Sequence, residues 1–537
     1  MTWSSMRGRP RDLPVDHSPL RGARVDARAR VAWLVRVSRM ASPIGGTGTE
    51  FSRRLTSAGF PVGASALSRR EHGQEEISGA MLTAYEQVLE LPSGQLRGVC
   101  EALRRLGAVD TVEHPELVDR SSLSLQLSRL EQRISAHEAS AADWLQLSYM
   151  LVQPGGVVLP PSVLACWVRQ LLVEMLRSIG TAYVGRYEAL ARLMSDPVTR
   201  RPVTTAVLDT VETPGSGCLL DALSVLGETN DPETLDLLVD LFVHRRHRVR
   251  LGAARALLQP VVLGSLTVDQ INRIQHAVLT VAREDPDDGG QPAFILAQRI
   301  SLQMTRMVVA LLGSNPGDRP HGAHIQDPAQ LQRYLQAAAM HSGVHGDQML
   351  ERLVREALTE DFLERQHHSS LMLMASPYRV SLADTALDVV TTTADPVARD
   401  AAGQLLSYLA GPEQHARLLE VLERPELELQ QIALHALAHA GGVPCEVDLL
   451  ERLGQPALRW AATYAAGMSA HPSLRTAHLD DAVAESAKWW RTIGPAVLDA
   501  PRTTLNERCV SQFSTQAPEP IRGRTVAEQD GREKAAV

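Results

Sequence analysis

Lysine is almost missing from this chain. Lys488 and Lys534 are the only two in 537 residues, so arginine carries nearly all of the positive charge. That preference follows the base composition of the coding sequence, and no binding role is read from it. Aromatic residues are scarce at 4%. β-branched runs are few, while alanine and leucine abound, which argues against sheets and for packed helices. The five cysteines, Cys100, Cys166, Cys218, Cys445 and Cys509, are scattered and odd in number, with no two at metal-like spacing. They read as small core residues in a reduced cytosol rather than as a disulfide framework. No apolar stretch longer than Val31-Ala32-Trp33-Leu34-Val35 follows the N-terminal arginines. A signal peptide and a membrane span are therefore not expected, and a cytoplasmic location is.

Catalytic signatures are missing too. Gly45-Gly46-Thr47-Gly48 has no strand before it and no lysine after it, so it is no phosphate loop. No nucleophile elbow is present. His435 and His439 stand four apart on an expected helix, as do His341 and His345. Neither pair has the glutamate of a metalloprotease helix or an evident third ligand. No metal, no cofactor and no enzymatic activity is expected.

What is present begins with charge. Residues 1–110 hold sixteen arginines against eleven acidic residues, although the whole chain carries −8. A basic N-terminal part on an acidic body suits nucleic-acid contact through the N-terminus. Residues 1–26 read as a flexible basic tail, broken by proline and glycine. It is either an arm that follows the minor groove or an unstructured start.

From 27 to 108 the periodicity predicts five short helices. Val31, Leu34, Val35 and Ser38 mark the first, and Phe51 and Leu55 the second. The third is bounded by Gly63 or Ser65 and by Gly73, which can close it in the left-handed conformation. Leu67 turns inward from it. Ala64, Ser65, Ser68, Arg69 and His72 fall on the other side, a face with short polar groups and one long guanidinium. Ile77, Met81, Tyr85, Val88 and Leu89 stripe a fourth helix. Leu96, Val99, Cys100, Leu103 and Leu106 stripe a fifth.

The stretch Leu67-Ser68-Arg69-Arg70-Glu71-His72-Gly73, followed by Leu82-Thr83-Ala84-Tyr85-Glu86-Gln87-Val88-Leu89, resembles the bacterial Cro and lambda-repressor-like (XRE) helix-turn-helix family. Two features depart from that family's pattern. The turn before the third helix is about five residues longer than the family's tight form. Arg70 also stands where the family places an apolar residue. The resemblance implies sequence-specific binding of double-stranded DNA, commonly as a homodimer on a near-palindromic site. Ala64, Ser65, Ser68, Arg69 and His72 would then face the bases, and Arg53 the backbone. Alternatively, Arg69 pairs with a carboxylate such as Glu76 and only trims the surface.

Residues 109–210 read as a helical middle region, with helices around Leu123–Ile134, Trp144–Leu151, Leu164–Met175 and Tyr183–Leu193. Between 211 and 500 an internal repeat emerges. An apolar residue, an alanine four later and apolar residues at seven and eight recur. Examples are Cys218, Ala222, Val225, Leu226; Val249, Ala253, Ala256, Leu257; and Leu429, Ala433, Ala436, Leu437. Helices start after Asp196-Pro197, Asp231-Pro232 and Asp395-Pro396, where aspartate caps and proline fits the first turn. Asp285 to Gln291 and Gly313 to His324 read as loops. The pattern resembles HEAT or armadillo repeats, which implies an α-solenoid with a concave protein-binding surface.

The run His244-Arg245-Arg246-His247-Arg248 is the sharpest charge cluster outside the N-terminal domain. Arg245, Arg246 and Arg248 either hold an acidic partner or form a solvated loop. Residues 501–537 read as a disordered tail. The expected whole is an all-α, nucleoid-associated transcriptional regulator with an N-terminal helix-turn-helix domain and a partner-binding or sensing repeat body. The rivals are a non-catalytic interaction scaffold with a remnant helix-turn-helix, and a HEAT-like DNA-repair glycosylase.

Overall fold

The computed structural model describes residues 13–20, 22, 24–107, 123–264, 266–313, 328–342, 344–360, 363–475 and 481–497. Those residues are all-α, with twenty-six α-helices and no strand among them. The N-terminal group is α1 (Ala27–Ala41), α2 (Gly48–Ser57), α3 (Ala64–Glu71), α4 (Gly79–Val88) and α5 (Gln95–Gly107). The middle holds α6 (Leu123–Ser135), α7 (Ala141–Val152), α8 (Pro161–Leu176), α9 (Gly180–Ser195) and α10 (Pro197–Glu212). Then come α11 (Leu219–Ser224), α12 (Pro232–Phe242), α13 (His247–Leu263), α14 (Val268–Glu284), α15 (Pro286–Ile300) and α16 (Leu302–Leu312). The last part holds α17 (Pro328–Ser342), α18 (Gln348–Thr359), α19 (Leu363–Ala375), α20 (Arg379–Thr392) and α21 (Pro396–Leu409). It ends with α22 (His415–Leu422), α23 (Leu427–His439), α24 (Leu450–Gly454), α25 (Arg459–Met468) and α26 (Asp481–Ile493). The tail at 501–537 lies outside the described residues.

Local chemistry starts these helices. Asp196, Asp231 and Asp395 each accept a hydrogen bond from a first-turn amide, with proline in that turn. Thr47 and Glu50 form a reciprocal capping box on α2. One expectation fails. Asp285 to Gln291 is no loop, because α15 begins at Pro286, directly after Asp285. Its glycines let α15 lie close on α14: a Cβ at Gly289 would stand 2.6 Å from Val281 Cγ1. Of the loop expected at 313–324, only Gly313 is described, and it closes α16 with φ 66°.

α1 is buried on every side from Ala29 to Arg39. One side packs on α3, α4 and α5. The other meets the last third of the chain. There Trp33 stacks on Tyr378 at 6.1 Å between ring centroids and donates its indole N–H to the Asp347 carboxylate at 3.0 Å. Arg30, fully buried, donates Nε to Asp16 at 2.7 Å. Its Nη2 reaches both Glu356 oxygens at 2.9 and 2.7 Å, and its Nη1 reaches Ser369 at 3.2 Å. Burial opposes ionisation of Asp16, but Arg30 and Ser18 outweigh it and lower its pKa. Residues 13–20 of the basic tail lie against this same cluster. Arg352 on α18 donates to the Ser18 carbonyl at 2.9 Å, and Arg365 on α19 to the Pro19 carbonyl at 2.9 Å.

α5 connects the N-terminal group to the middle. It crosses α9 where Gly98 faces Gly185, and a Cβ at Gly98 would stand 3.2 Å from the Gly185 Cα. Glu101 accepts from Arg192 at 2.9 Å, and Arg105 pairs with Glu188 at 2.7 Å. Beyond α9, helix contacts run α11–α13–α15, while a second series runs α19–α21–α23–α25. α26 then returns to the middle. Ser486 donates to the Gly215 carbonyl at 3.0 Å, and the Val497 amide to the Arg177 carbonyl at 2.8 Å.

Removing Arg30 takes the closest cation from two buried carboxylates, Asp16 and Glu356, and leaves them to share Arg352 at 3.5 and 2.9 Å. Arg30→Ala is expected to cost about 3–5 kcal/mol, the usual consequence of breaking a buried ion pair from one side. Urea unfolding followed by circular dichroism measures this, and an unchanged midpoint would show that the cluster contributes nothing to stability.

Candidate functional site

The six N-terminal residues singled out in the sequence lie on two adjoining helices. On α3, Ser65, Ser68 and Arg69 are exposed, as is His72 at its C-cap; Ala64 is half-buried, while Leu67 is fully buried. On α2, Arg53 and its neighbour Arg54 are exposed. α2 and α3 pack on each other, and Ser52 Oγ donates to the Val62 carbonyl, which pins the turn between them. Gly63 opens α3 without a side-chain cap. Gly73, with φ 72°, closes it: Gly73 N–H bonds the Arg70 carbonyl at 3.0 Å and Gln74 N–H the Arg69 carbonyl at 2.9 Å.

Arg69 does have a carboxylate neighbour, but it is Glu75 rather than Glu76. Both members of that pair are substantially exposed, at 49% and 35% of their side chains. Such a pair is worth roughly 0–1 kcal/mol, so it holds Arg69 only loosely. Arg70 runs along the edge of the core, its Nη1 3.9 Å from the Met81 sulfur. His72 turns its ring back onto the Ser68 carbonyl at 2.6 Å.

Beneath α3 lies a buried polar triad that sequence reasoning missed. Arg39 on α1 grips both oxygens of Glu71 at 2.6 Å, and the Tyr85 phenol on α4 donates to Glu71 at 2.7 Å. Burial works against the Arg39 charge, yet the bidentate pair with Glu71 outweighs it and raises the pKa. Burial, and then Glu71, pushes the Tyr85 phenol well above its ordinary value, so it stays a donor. The triad joins three helices from residues 32 and 14 positions apart, a separation that no local pattern encodes.

The arginines after α12 part company. Arg245 is exposed. Arg246 donates to the Val211 carbonyl. Arg248 turns inward and lies over the Trp460 ring on α25, with its guanidinium carbon 3.0 Å from the centroid. His244 has its pKa lowered by burial and by Arg246, Arg250 and Arg245, so falling pH charges it later than an ordinary histidine.

Trp460 belongs to a polar and aromatic interior between the two helix series. Tyr183 on α9 donates to Asp221 on α11 at 3.0 Å, and Tyr187 to Glu228 at 2.6 Å. His367 on α19 meets the Tyr408 hydroxyl on α21 at 2.9 Å. His439 is held at both ring nitrogens, by the Ser407 carbonyl at 2.7 Å and the Tyr464 hydroxyl at 2.9 Å. Both ring nitrogens of His439 are thus engaged, and His435 lies beside the Tyr464 ring at 6.1 Å between centroids. His341 and His345 do not share a helix, since α17 ends at Ser342. No cluster of three or more metal-ligating side chains occurs among the described residues. At one end of this interior a cavity of about 450 Å³ is lined by Ser195, Arg200, Glu228, Asn230, Asp231 and Gln259.

Comparison of the chain with family models, curated proteins and solved structures gives no match. No helix of the described residues is long and apolar enough to cross a membrane. Of the five cysteines, Cys100 and Cys218 are buried as core residues, Cys445 is half-buried, and Cys166 is exposed, contrary to expectation.

The interior histidines make stability depend on pH. Burial depresses His367 and His435 from 6.5 to about 4. The folded state then binds these protons less tightly than the unfolded chain. Stability from this source is complete above pH 6.5 and is lost as pH falls toward 4. Each shift corresponds to at most about 3 kcal/mol before solvent screening is allowed for. His435→Gln is expected to flatten the fall in unfolding midpoint between pH 6.5 and 4 relative to wild type. Parallel pH profiles for the two proteins would refute the assignment.

Proposed function

We propose that this chain is a sequence-specific DNA-binding transcriptional regulator. Residues 27–108 act as its helix-turn-helix domain, in the manner of the Cro and lambda-repressor-like family. The remaining helices serve as a HEAT-like body that receives a partner or a signal. The observation that carries this reading is the outward row of Ser65, Ser68 and Arg69 on α3 with His72 at its C-cap, flanked by Arg53 and Arg54 on α2. α3 is short, free of bulk on that side, and held from below by buried ion pairing. These are the requirements for a helix that enters a major groove.

Magnitudes support Arg69 as the reader. An arginine bonded through two donors to a guanine edge discriminates by about 1–3 kcal/mol. The exposed pair with Glu75 is worth roughly 0–1 kcal/mol, so a guanine displaces it. Glu50 is occupied in capping α2. Arg53 and Arg54 are left as the cations nearest a phosphate backbone, which sets affinity but not sequence. A dimer on a near-palindromic site follows from the family resemblance.

The test is selection of duplexes from a random library with the full chain, then binding measurements on the enriched sequence. Arg69→Ala is expected to weaken the selected site by about 1–2 kcal/mol and flatten preference at one base position. Random DNA should change less. Glu75→Gln should tighten binding severalfold by releasing Arg69. Arg53→Ala should lower affinity for all sequences alike. If the library yields no enriched sequence, the chain is an interaction scaffold and α3 is surface.

A further inference from the structure

The cavity of about 450 Å³ beside Glu228 has room for a small molecule. Sites for such ligands run from roughly 300 to 1,000 Å³. Asn230 and Leu263 at its rim are exposed, so it opens to solvent.

Its wall is built from the ends of helices. α9 ends at Ser195, a one-turn 3₁₀ helix ends at Glu228, and α13 ends at Leu263. All three residues line the cavity. The last carbonyls of a helix lack helical donors and carry its negative end. α10 and α12 start nearby, but Asp196 and Asp231 already take their first amides. The wall therefore favours a cation.

Glu228 supplies the charge. Its side chain is only 4% exposed, yet it is short of positive partners. Its one guanidinium, Arg105, is shared with Glu188. Burial raises the Glu228 carboxyl above its ordinary value, more than Arg105 and the Tyr187 hydroxyl lower it. Among the described residues, Oε2 accepts from Arg105 and Gln259, but Oε1 accepts only the Tyr187 hydroxyl, at 2.6 Å. One lone pair of Oε1 is left for a further donor.

The neighbouring polar groups fit the same ligand. Gln259 spends its Nε2 on Glu228 at 2.9 Å, and its amide oxygen has no partner among the described residues. Arg200, the cation of the lining, is already neutralised: it pairs with Asp231 at 2.5 Å and donates Nε to the Met194 carbonyl at 3.0 Å. Pro260 and Leu263 add apolar surface on the α13 side, and Leu263 is 52% exposed.

We infer that this cavity binds a small aliphatic amine. Its ammonium group donates to Glu228 Oε1 and to the Gln259 amide oxygen, and its hydrocarbon part lies on Pro260 and Leu263. The site lies in the body and is tested without DNA, so it stands or falls separately from the regulator reading.

The experiment is calorimetric titration of the full chain with 1,4-diaminobutane, with its uncharged counterpart 1,4-butanediol and with inorganic phosphate. The diamine is expected to saturate one site per chain and to bind at least tenfold tighter than either of the other two. Glu228→Gln should weaken it at least tenfold. Arg200→Gln, which removes the cation and frees Asp231, should tighten it severalfold. Opposite signs from two substitutions in one wall cannot come from misfolding. Glu233→Gln, exposed on α12 and outside the lining, should leave the titration unchanged. Absence of a saturable diamine site overturns the inference. So does equal binding of the diol or of phosphate, or a Glu228→Gln protein that binds like wild type.

Discussion

One guanidinium, that of Arg30, joins parts of the chain that are 326 and 339 positions apart. Placing a full charge inside a protein is costly, and the cost is offset only when geometry supplies partners on every side. Arg30 has them: Asp16 before α1, Glu356 on α18 and Ser369 on α19. Each carboxylate is satisfied in turn, Glu356 also by Ser369 at 2.6 Å and by Arg352 at 2.9 Å. A network of this kind tolerates little displacement. α1 is therefore fixed to the last third of the chain as firmly as to its own neighbours.

That constraint reaches the proposed DNA-binding helix. α3 rests on α1 through Glu71 and Arg39, and on α4 through Glu71 and Tyr85. α4 in turn caps α5: Glu86 accepts the amides of Gly94, Leu96 and Arg97 at 2.7–2.8 Å. α5 is then tied to α9 through Glu101 and Arg105. The outward face of α3 and the aromatic interior are thus attached to one continuous set of helices, with buried ion pairs at the joints. On the proposed reading, the body orients the DNA-binding face rather than trailing it on a linker.

Much of the secondary structure was legible from short-range rules. Asp-Pro pairs marked helix starts, Gly73 marked a helix end, and Leu67 separated the inner from the outer face of α3. These succeed because capping and helical periodicity act within about four residues. The same rule misled where it was not applied evenly. Asp285–Gln291 was read as a loop, although Asp285-Pro286 is the same pair that marks helix starts elsewhere.

Partnership across the chain was not legible. Arg245, Arg246 and Arg248 are one cluster in sequence, yet the first is exposed, the second bonds a carbonyl, and the third lies on Trp460. Helical geometry explains the parting: Arg248 lies within α13 and faces inward, whereas Arg245 precedes the helix. Likewise His435 and His439 are spaced as metal ligands, but Ser407 and Tyr464 from neighbouring helices engage both ring nitrogens of His439, and His435 lies against the Tyr464 ring. The sequence by itself determined that the chain is helical, where many helices begin, and which side of α3 faces out. The tertiary structure alone decided which charges are paired, which stay unpaired, and which aromatic rings gather around them. Those outcomes depend on packing between residues tens to hundreds of positions apart, and no local pattern records the partner.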